Sequence, residues 1–175
     1  MCEIINGYHG TKKIYAKLIV NAKNYLISGT FKDWLGKGIY FFQNDLHQAY
    51  MLSKFRNRLD HEDISVVYSE ICSSQMIDLL IDDDRMFIEE YARSLKEKII
   101  EEENIIGAWE HKEGYVLDYL YKEEPYDLVR AAYSVPSRET PPPLEYATIH
   151  IQVCVKNKEC INKSSIKEVD CDAYC

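Results

Sequence analysis

Two short segments near the N-terminus carry residue types that suit ligand chemistry. Residues 8–11 read Tyr-His-Gly-Thr, and residues 36–41 read Gly-Lys-Gly-Ile-Tyr-Phe. His9 offers an imidazole, and Gly10 lacks the side chain that would keep a ligand away from the backbone. Tyr40 offers an aromatic face, which suits a flat, electron-poor cation. Each segment alone is equally compatible with a structural histidine or with a glycine-bounded core strand.

The elements that must position these residues alternate between strands and helices. Thr11 suits a helix cap, and three aspartates at 82–84 favour a helix start. In the first helix we expect Ile14, Leu18 and Ile19 to face inward. Strands and helices interleave without a regular βαβ period, which predicts an α+β fold. The predicted strands cover 4–8, 25–28, 38–42, 64–72, 126–133 and 147–155, and the predicted helices cover 12–22, 44–59, 82–106 and 112–122.

Composition limits the class of protein. The chain has 175 residues, 46% of them hydrophobic, and shows no linker or repeat, so we predict a single domain over 1–175. It has no membrane-length apolar stretch and no signal-peptide pattern, so we expect a cytoplasmic protein that does not contact membranes. The six cysteines should then stay reduced, and their spacing does not suit a metal site. A net charge of −8 disfavours non-specific binding to nucleic acid.

Taken together and in this order, the two segments resemble the signature strands of the ADP-ribosyltransferase superfamily, in its diphtheria-toxin and poly(ADP-ribose) polymerase branch. The resemblance implies two facing, mostly antiparallel β-sheets with surrounding helices and an NAD cleft. It implies that His9, Gly10 and Thr11 hold the nicotinamide riboside of NAD, which is the substrate. It also implies that Tyr40 stacks on the nicotinamide ring, with Gly38 beside it in the cofactor site.

The same resemblance implies a second stacking aromatic residue on the following helix. Counting along the chain places it at Met51, with Tyr50 beside it, and we take Tyr50 as the cofactor-binding candidate. Ala49 lies where the family's helix packs. The choice between Tyr50 and Met51 stays open at the level of sequence.

The third catalytic position departs from the family pattern, in which many members have a glutamate early in a late strand. Strand alternation in residues 149–155 favours Gln152, and Glu145 in a Glu-Tyr pair is the alternative. A neutral amide stabilises a developing oxocarbenium charge less well than a carboxylate does. Gln152 would therefore act by positioning, which points to transfer of a single ADP-ribose. His150 lies two residues earlier and should share the strand face of Gln152.

These residues together predict a mono-ADP-ribosyltransferase that transfers ADP-ribose to a macromolecular acceptor, with protein favoured over nucleic acid. Arg138 and Tyr146 occupy the loop that contacts the acceptor in the family. The chain is similar to toxin-like members in bacteria and phages, which implies a toxin–antitoxin or phage-defence role with an antitoxin as candidate partner. Two alternatives stay open: an NAD glycohydrolase on the same fold, and a non-catalytic module that binds NAD or ADP-ribose.

Overall fold

The computed structural model of the chain describes residues 2–27, 33–57, 63–102, 112–134 and 149–171. Within these ranges it contains seven strands, four α-helices and two short 3₁₀ turns, at Lys158–Cys160 and Lys163–Ser165. In chain order the strands and α-helices are β1 (Glu3–Lys12), α1 (Lys13–Ala22), β2 (Ile39–Gln43), α2 (Leu46–Asn57), β3 (Ile64–Ser73), β4 (Met76–Asp78), α3 (Asp82–Glu102), α4 (Lys112–Glu123), β5 (Leu128–Ser134), β6 (Ile149–Val155) and β7 (Lys167–Val169).

The strands form one seven-stranded sheet in the order β4-β5-β6-β2-β1-β3-β7. All neighbouring pairs are antiparallel except β4 and β5, which are parallel. The mixed composition and mostly antiparallel pairing agree with the predicted α+β class. The expectation of two facing sheets is corrected for the described strands. Because β2 hydrogen-bonds to β1 on one side and to β6 on the other, both halves join in one sheet.

Helices cover both faces of this sheet. On one face α1 and the C-terminal 3₁₀ turns enclose a core that includes Ile5, Phe41 and Val153. On the other face α2 packs over Phe42 and Val66, while α3 and α4 pack over the β5 and β6 end. Burial of large apolar side chains of this kind contributes about 1.5–3 kcal/mol each. The sheet is therefore held from both sides, and its central strands are the most rigidly placed.

Three local predictions about the N-terminal region differ from the structure. Thr11 is not a helix cap, because β1 runs on to Lys12 and α1 has no side-chain cap. The buried residue of α1 is Ala16, whereas Ile14 and Leu18 are 64% and 60% exposed. The helix is thus rotated relative to the expected apolar face. The strand predicted at 25–28 is also absent from the described residues 25–27.

The structure joins Cys2 to Cys72 in a disulfide. The expectation that all cysteines stay reduced is therefore wrong for this pair. β1 and β3 pair antiparallel with Ile4 opposite Cys72, which brings the N-terminus beside the end of β3. Cys154, Cys160 and Cys171 are buried and form no disulfide with a described residue, and Cys175 lies outside the described residues. Among the described helices, none has the length and apolar character needed to span a membrane.

Candidate functional site

A gap between β1 and β2 forms the candidate site. The two strands pair only at Gly7–Gln43 and Tyr8–Phe42, after which β1 continues to Lys12 without β2 beside it. On its other edge β1 pairs with β3 all the way to Lys12. The gap therefore opens at His9, at the first residue after the shared ladder. It places the two segments singled out in the sequence on opposite sides of one opening.

His9 bridges the two strands across this gap. Its Nδ1 lies 2.8 Å from the backbone oxygen of Tyr40. Because a carbonyl only accepts, Nδ1 must carry the proton and donate it. Burial lowers the pKa of His9, so the imidazole is neutral at pH 7. Nε2 then carries a lone pair that can accept a hydrogen bond from a ligand hydroxyl.

Two aromatic rings fix the orientation of the imidazole. The Tyr25 ring meets it edge-on at a centroid distance of 5.5 Å, and the Phe41 ring lies 5.8 Å away. The Tyr25 hydroxyl is itself bonded to the hydroxyl of Ser69 at 2.7 Å. His9 is therefore held by packing as well as by hydrogen bonding, as a preorganised binding group requires.

Tyr40 is anchored through its hydroxyl, and its partly buried side chain packs against the core that includes Leu35 and Cys154 while the residue also lines the cavity in the gap. The hydroxyl donates to the backbone oxygen of Gly36 at 2.7 Å and accepts from the backbone N–H of Leu35 at 3.0 Å. Burial and the neighbouring Cys154 hold the pKa of Tyr40 above its usual range, so the hydroxyl stays protonated. Lys156 reinforces the same turn by donating to the backbone oxygen of Leu35 and to Asp118. The phenol ring can stack on a ligand while its hydroxyl holds the turn.

The glycines of both segments are required by packing within the protein. A Cβ on Gly10 would lie 1.8 Å from the backbone oxygen of Ala49, so α2 can approach β1 only over a glycine. A Cβ on Gly38 would lie 2.3 Å from the sulfur of Cys154. The packing of α2 against β1 therefore requires a glycine at position 10, in addition to the expected approach of a ligand to the backbone there. Gly38 packs against β6 and is not part of the cavity wall.

The gap contains a cavity of about 260 Å³ that brings four predicted residues together. His9, Gly10, Thr11 and Tyr40 all line it. Six further residues, from β1, β2, α1 and α2, complete the wall. They are Lys12, Tyr15, Phe42, Ala49, Leu52 and Ser53. Among these six, the sequence led us to expect only Ala49 near the site. An acidic protein thus presents a lysine and two aromatic residues besides Tyr40 in this cavity.

Tyr15, from α1, is one of these two aromatic residues. It is 52% exposed and lies at the mouth of the cavity. Tyr50, the predicted candidate, is 1% exposed in the core beneath α2, and neither it nor Met51 lines the cavity. The expected role of Tyr50 is therefore corrected: its ring packs in the core. The position of Tyr15 depends on the rotation of α1, which the apolar pattern of that helix did not reveal.

Gln152 lies on the strand next to Tyr40 but outside the cavity wall. It sits opposite Phe42 on β2, which does line the cavity. Its Nε2 lies 2.7 Å from Nε2 of His150, and because an amide nitrogen only donates, His150 accepts there. The predicted shared face of His150 and Gln152 is thus confirmed. Burial lowers the pKa of His150, and its Nδ1 has no hydrogen-bond partner among the described residues.

Three predicted residues, Glu145, Arg138 and Tyr146, lie outside the described residues. Within the described ranges, no cluster of histidine, cysteine and acidic side chains could hold a metal ion. Cys154 is fully buried, and burial raises the pKa of its thiol to about 12. It therefore stays a thiol at neutral pH and is unsuited to act as a nucleophile.

The comparisons with known proteins add one relative of undescribed function. The chain is 28% identical over 181 residues to the uncharacterized protein MJ0359 of Methanocaldococcus jannaschii, an alignment that covers 89% of this chain and 84% of that protein. No family model matches the chain, and no solved structure matches it. The function must therefore be argued from the site.

Proposed function

We propose that this protein is a mono-ADP-ribosyltransferase that cleaves NAD at the nicotinamide–ribose bond and transfers ADP-ribose to a macromolecule. One observation carries the proposal. The two segments that resemble the family's signature strands face each other across one cavity, joined by the hydrogen bond from His9 to the Tyr40 carbonyl. Gln152, Tyr40 and His9 also lie on the adjacent strands β6, β2 and β1, which supports the proposal.

Each wall of the cavity has a role in holding the substrate. The Tyr40 ring stacks on the nicotinamide, and the exposed Tyr15 ring is suited to cover it from the α1 side. Nε2 of neutral His9 accepts a hydrogen bond from a ribose hydroxyl. Lys12 supplies a positive charge for the diphosphate. A volume of about 260 Å³ suits the nicotinamide riboside part of NAD, leaving the adenosine part at the mouth.

The reaction rests on positioning more than on charge. Cleavage of the nicotinamide–ribose bond develops positive charge on the sugar, and neither neutral His9 nor the Gln152 amide supplies a compensating anion. Gln152 instead orients the ribose and the acceptor from the neighbouring strand. Glu145 is the alternative third residue and would supply the missing charge. A site without that carboxylate favours one transfer over chain elongation.

The acceptor is proposed to be a protein, in a toxin or phage-defence setting with an antitoxin as partner. The formal charge of −8 supports a protein acceptor over nucleic acid, because an acidic surface repels phosphate backbones. Arg138 and Tyr146 are the proposed acceptor contacts. Transfer from radiolabelled NAD into separated protein, RNA and DNA fractions of a lysate tests this choice. Label found only in nucleic acid would reverse it.

The test of the activity is release of nicotinamide from NAD by the purified protein, compared with Gln152→Ala, Glu145→Ala and the exposed control Gln75→Ala. We expect release by the wild type and by Gln75→Ala, and loss of release in Gln152→Ala. Loss in Glu145→Ala alone would move the third catalytic position to Glu145. Absence of release even with lysate supplied as acceptor would contradict the proposed reaction.

The second candidate is a non-catalytic module that binds NAD or ADP-ribose. It is favoured by the Gln152 side chain, which is neutral and already bonded to His150. This candidate predicts thermal stabilisation by NAD without turnover. A glycohydrolase on the same fold would instead release free ADP-ribose with no labelled macromolecule. The labelled-NAD experiment separates the three.

A further inference from the structure

A second cavity lies at the β5 end of the sheet, away from the His9 gap. It has a volume of about 460 Å³ and is enclosed by β5, the turn after β4, α3 and α4. Its apolar wall includes Ile88, Leu117 and Ala131. Charged residues Glu89, Glu113 and Arg85 line it as well. The proposed NAD chemistry makes no use of this cavity.

Beside this cavity, no described strand pairs with the outer edge of β5 beyond Arg130. β4 pairs with β5 only from Met76 to Asp78, opposite Leu128 to Arg130. The last bond of this side runs from the N–H of Leu79 to the oxygen of Arg130. In a strand, alternate residues direct N–H and C=O to the same edge, so those of Ala132 point to the edge that β4 has left. No described residue hydrogen-bonds to either group.

The ladder stops because the chain turns away from β5 after Leu79. The N–H of Ile81 donates to the backbone oxygen of Asp78, and α3 begins at Asp82. The backbone oxygen of Leu79 also accepts from Nη1 of Arg85 at 2.9 Å. Ala132 itself is exposed. An exposed strand edge of this kind is a template for another strand.

The charges around the open edge favour a basic ligand. Arg85 is neutralised by its ion pair with Asp82. Glu89 and Glu113 are exposed and make no ion pair with a described residue. Glu113 lies in the first turn of α4, where a negative charge is stabilised by the helix dipole, so this residue also has a structural role. Glu89 lies within α3, where no such helix-end stabilisation applies.

Three further apolar side chains near the start of α3 are exposed, although none of them lines this cavity. Ile81, Met86 and Phe87 are 51%, 66% and 48% exposed, in the turn before α3 and at the start of that helix. The apolar cavity wall beside Glu89 and Glu113 therefore favours a ligand that offers apolar groups and positive charge together.

We propose that the open edge of β5 and the cavity beside it bind an extended segment of a partner protein, in which basic residues alternate with apolar ones. The segment adds as a strand whose backbone pairs with Ala132. Its apolar side chains enter the cavity, and its basic side chains meet Glu89 and Glu113. Main-chain pairing gives affinity in such β-augmentation, and the side-chain pockets give specificity. This inference is independent of NAD cleavage.

The first test uses a fluorescein-labelled peptide of alternating lysine and valine, measured by fluorescence anisotropy with the full-length protein. We expect saturable binding that weakens about fivefold or more in the double variant Glu89→Gln/Glu113→Gln. The matched control Glu90→Gln/Glu124→Gln removes the same charge from exposed residues outside the cavity and should change affinity less than about twofold. Equal weakening in both double variants would overturn the proposal, because it would indicate attraction to net charge alone.

The second test addresses the backbone. In Ala132→Pro the lost N–H is not used within the sheet, and proline is tolerated at such edge positions. We expect this variant to keep a melting temperature close to the wild type and to bind the peptide at least about tenfold more weakly. A peptide N-methylated at alternate residues should bind weakly to every variant. Full binding of that peptide, tighter binding of an RNA oligonucleotide, or a wild-type dimer that Ala132→Pro converts to monomer would each contradict the proposal.

Discussion

The two edges of β1 differ in how far they are paired, and this difference separates stability from chemistry. Towards β3, β1 is paired along its full length from Glu3 to Lys12, over buried side chains such as Val67 and Ile71. Towards β2, the same strand is paired only at Gly7 and Tyr8. The fully paired edge has no room for a ligand. The short-paired edge opens a cavity whose polar groups are already oriented.

One strand can therefore be held in place along one edge and leave a site accessible along its other edge. The β3 edge fixes the backbone of residues 9–11, so the β2 edge can stay open without loss of geometry. Substitutions on the β3 edge should therefore change stability and leave the chemistry of the folded protein intact. Substitutions at the β2 edge should change binding and turnover more than stability.

The largest expected effect is on the β3 edge. Ile71→Ala removes a fully buried side chain between β1 and the C-terminal segment, and should lower the free energy of unfolding by about 2–5 kcal/mol. Urea unfolding measures the loss. Nicotinamide release per folded molecule should stay within about threefold of the wild type. A large selective loss of activity in this variant would contradict the separation of the two edges.

At the β2 edge, Tyr40→Ala removes the ring that we propose stacks on the nicotinamide. Loss of about 1–3 kcal/mol of stacking corresponds to about a 5- to 150-fold fall in kcat/KM for NAD. Tyr40→Phe is the matched control, since it keeps the ring and loses only the bonds to Leu35 and Gly36. It should cost about 1–3 kcal/mol of stability with little change in kcat/KM. If both variants lose activity equally, the hydroxyl matters and stacking is not the role of Tyr40.

The contact of α2 with β1 gives a third, smaller effect. Gly10→Ala places a Cβ against the backbone oxygen of Ala49 and should destabilise the protein by about 1–3 kcal/mol. Gly7→Ala is the comparison, because its Cβ would meet the side chains of Ile71 and Phe41, which can shift. Thermal unfolding of both variants checks the ranking. A Gly10→Ala variant as stable as Gly7→Ala would show that α2 is free to move away.

The smallest effect is the pH dependence of stability. Burial lowers the pKa values of His9 and His150 below that of an unfolded histidine, about 6.5. Below about pH 6.5 the unfolded chain binds protons that the folded protein does not, so the free energy of unfolding falls. Between pH 6.5 and 5.5 each histidine contributes at most about 1.4 kcal/mol.

Urea midpoints at pH 7.5 and 5.5 measure this effect. The wild type should be less stable at pH 5.5, and His9→Gln should show a smaller difference between the two pH values. A midpoint that rises as the pH falls, or a His9→Gln variant with the full wild-type difference, would be inconsistent with a buried neutral His9.

Local signals in the sequence predicted much of this fold. The three aspartates at 82–84 mark the start of α3, and the β-branched run from Ile64 marks β3. The two N-terminal segments were also predicted as parts of one site, and the structure places His9 and Tyr40 beside one cavity. Residue type and spacing are enough for these features, because each depends on contacts near in sequence or on a recognised pattern.

Other features depend on contacts distant in the sequence and were missed. The three-residue strands β4 and β7 exist because β5 and β3 provide partners, not because of their own sequences. The Cys2–Cys72 bond joins residues 70 positions apart. Tyr15 lines the cavity from an α1 that buries Ala16 and exposes Ile14 and Leu18, although Ile19 packs against the core as expected. Counting along the chain led to Met51 with Tyr50 beside it, but the Tyr50 side chain is buried in the core.

The most direct test of the account is a crystal structure of the protein with NAD bound. We predict that the nicotinamide ring lies on the face of Tyr40 and that a ribose hydroxyl lies within hydrogen-bonding distance of His9 Nε2. The diphosphate should lie towards Lys12. NAD bound in the cavity between β5 and α3, or no NAD in the β1–β2 gap at saturating concentration, would contradict it.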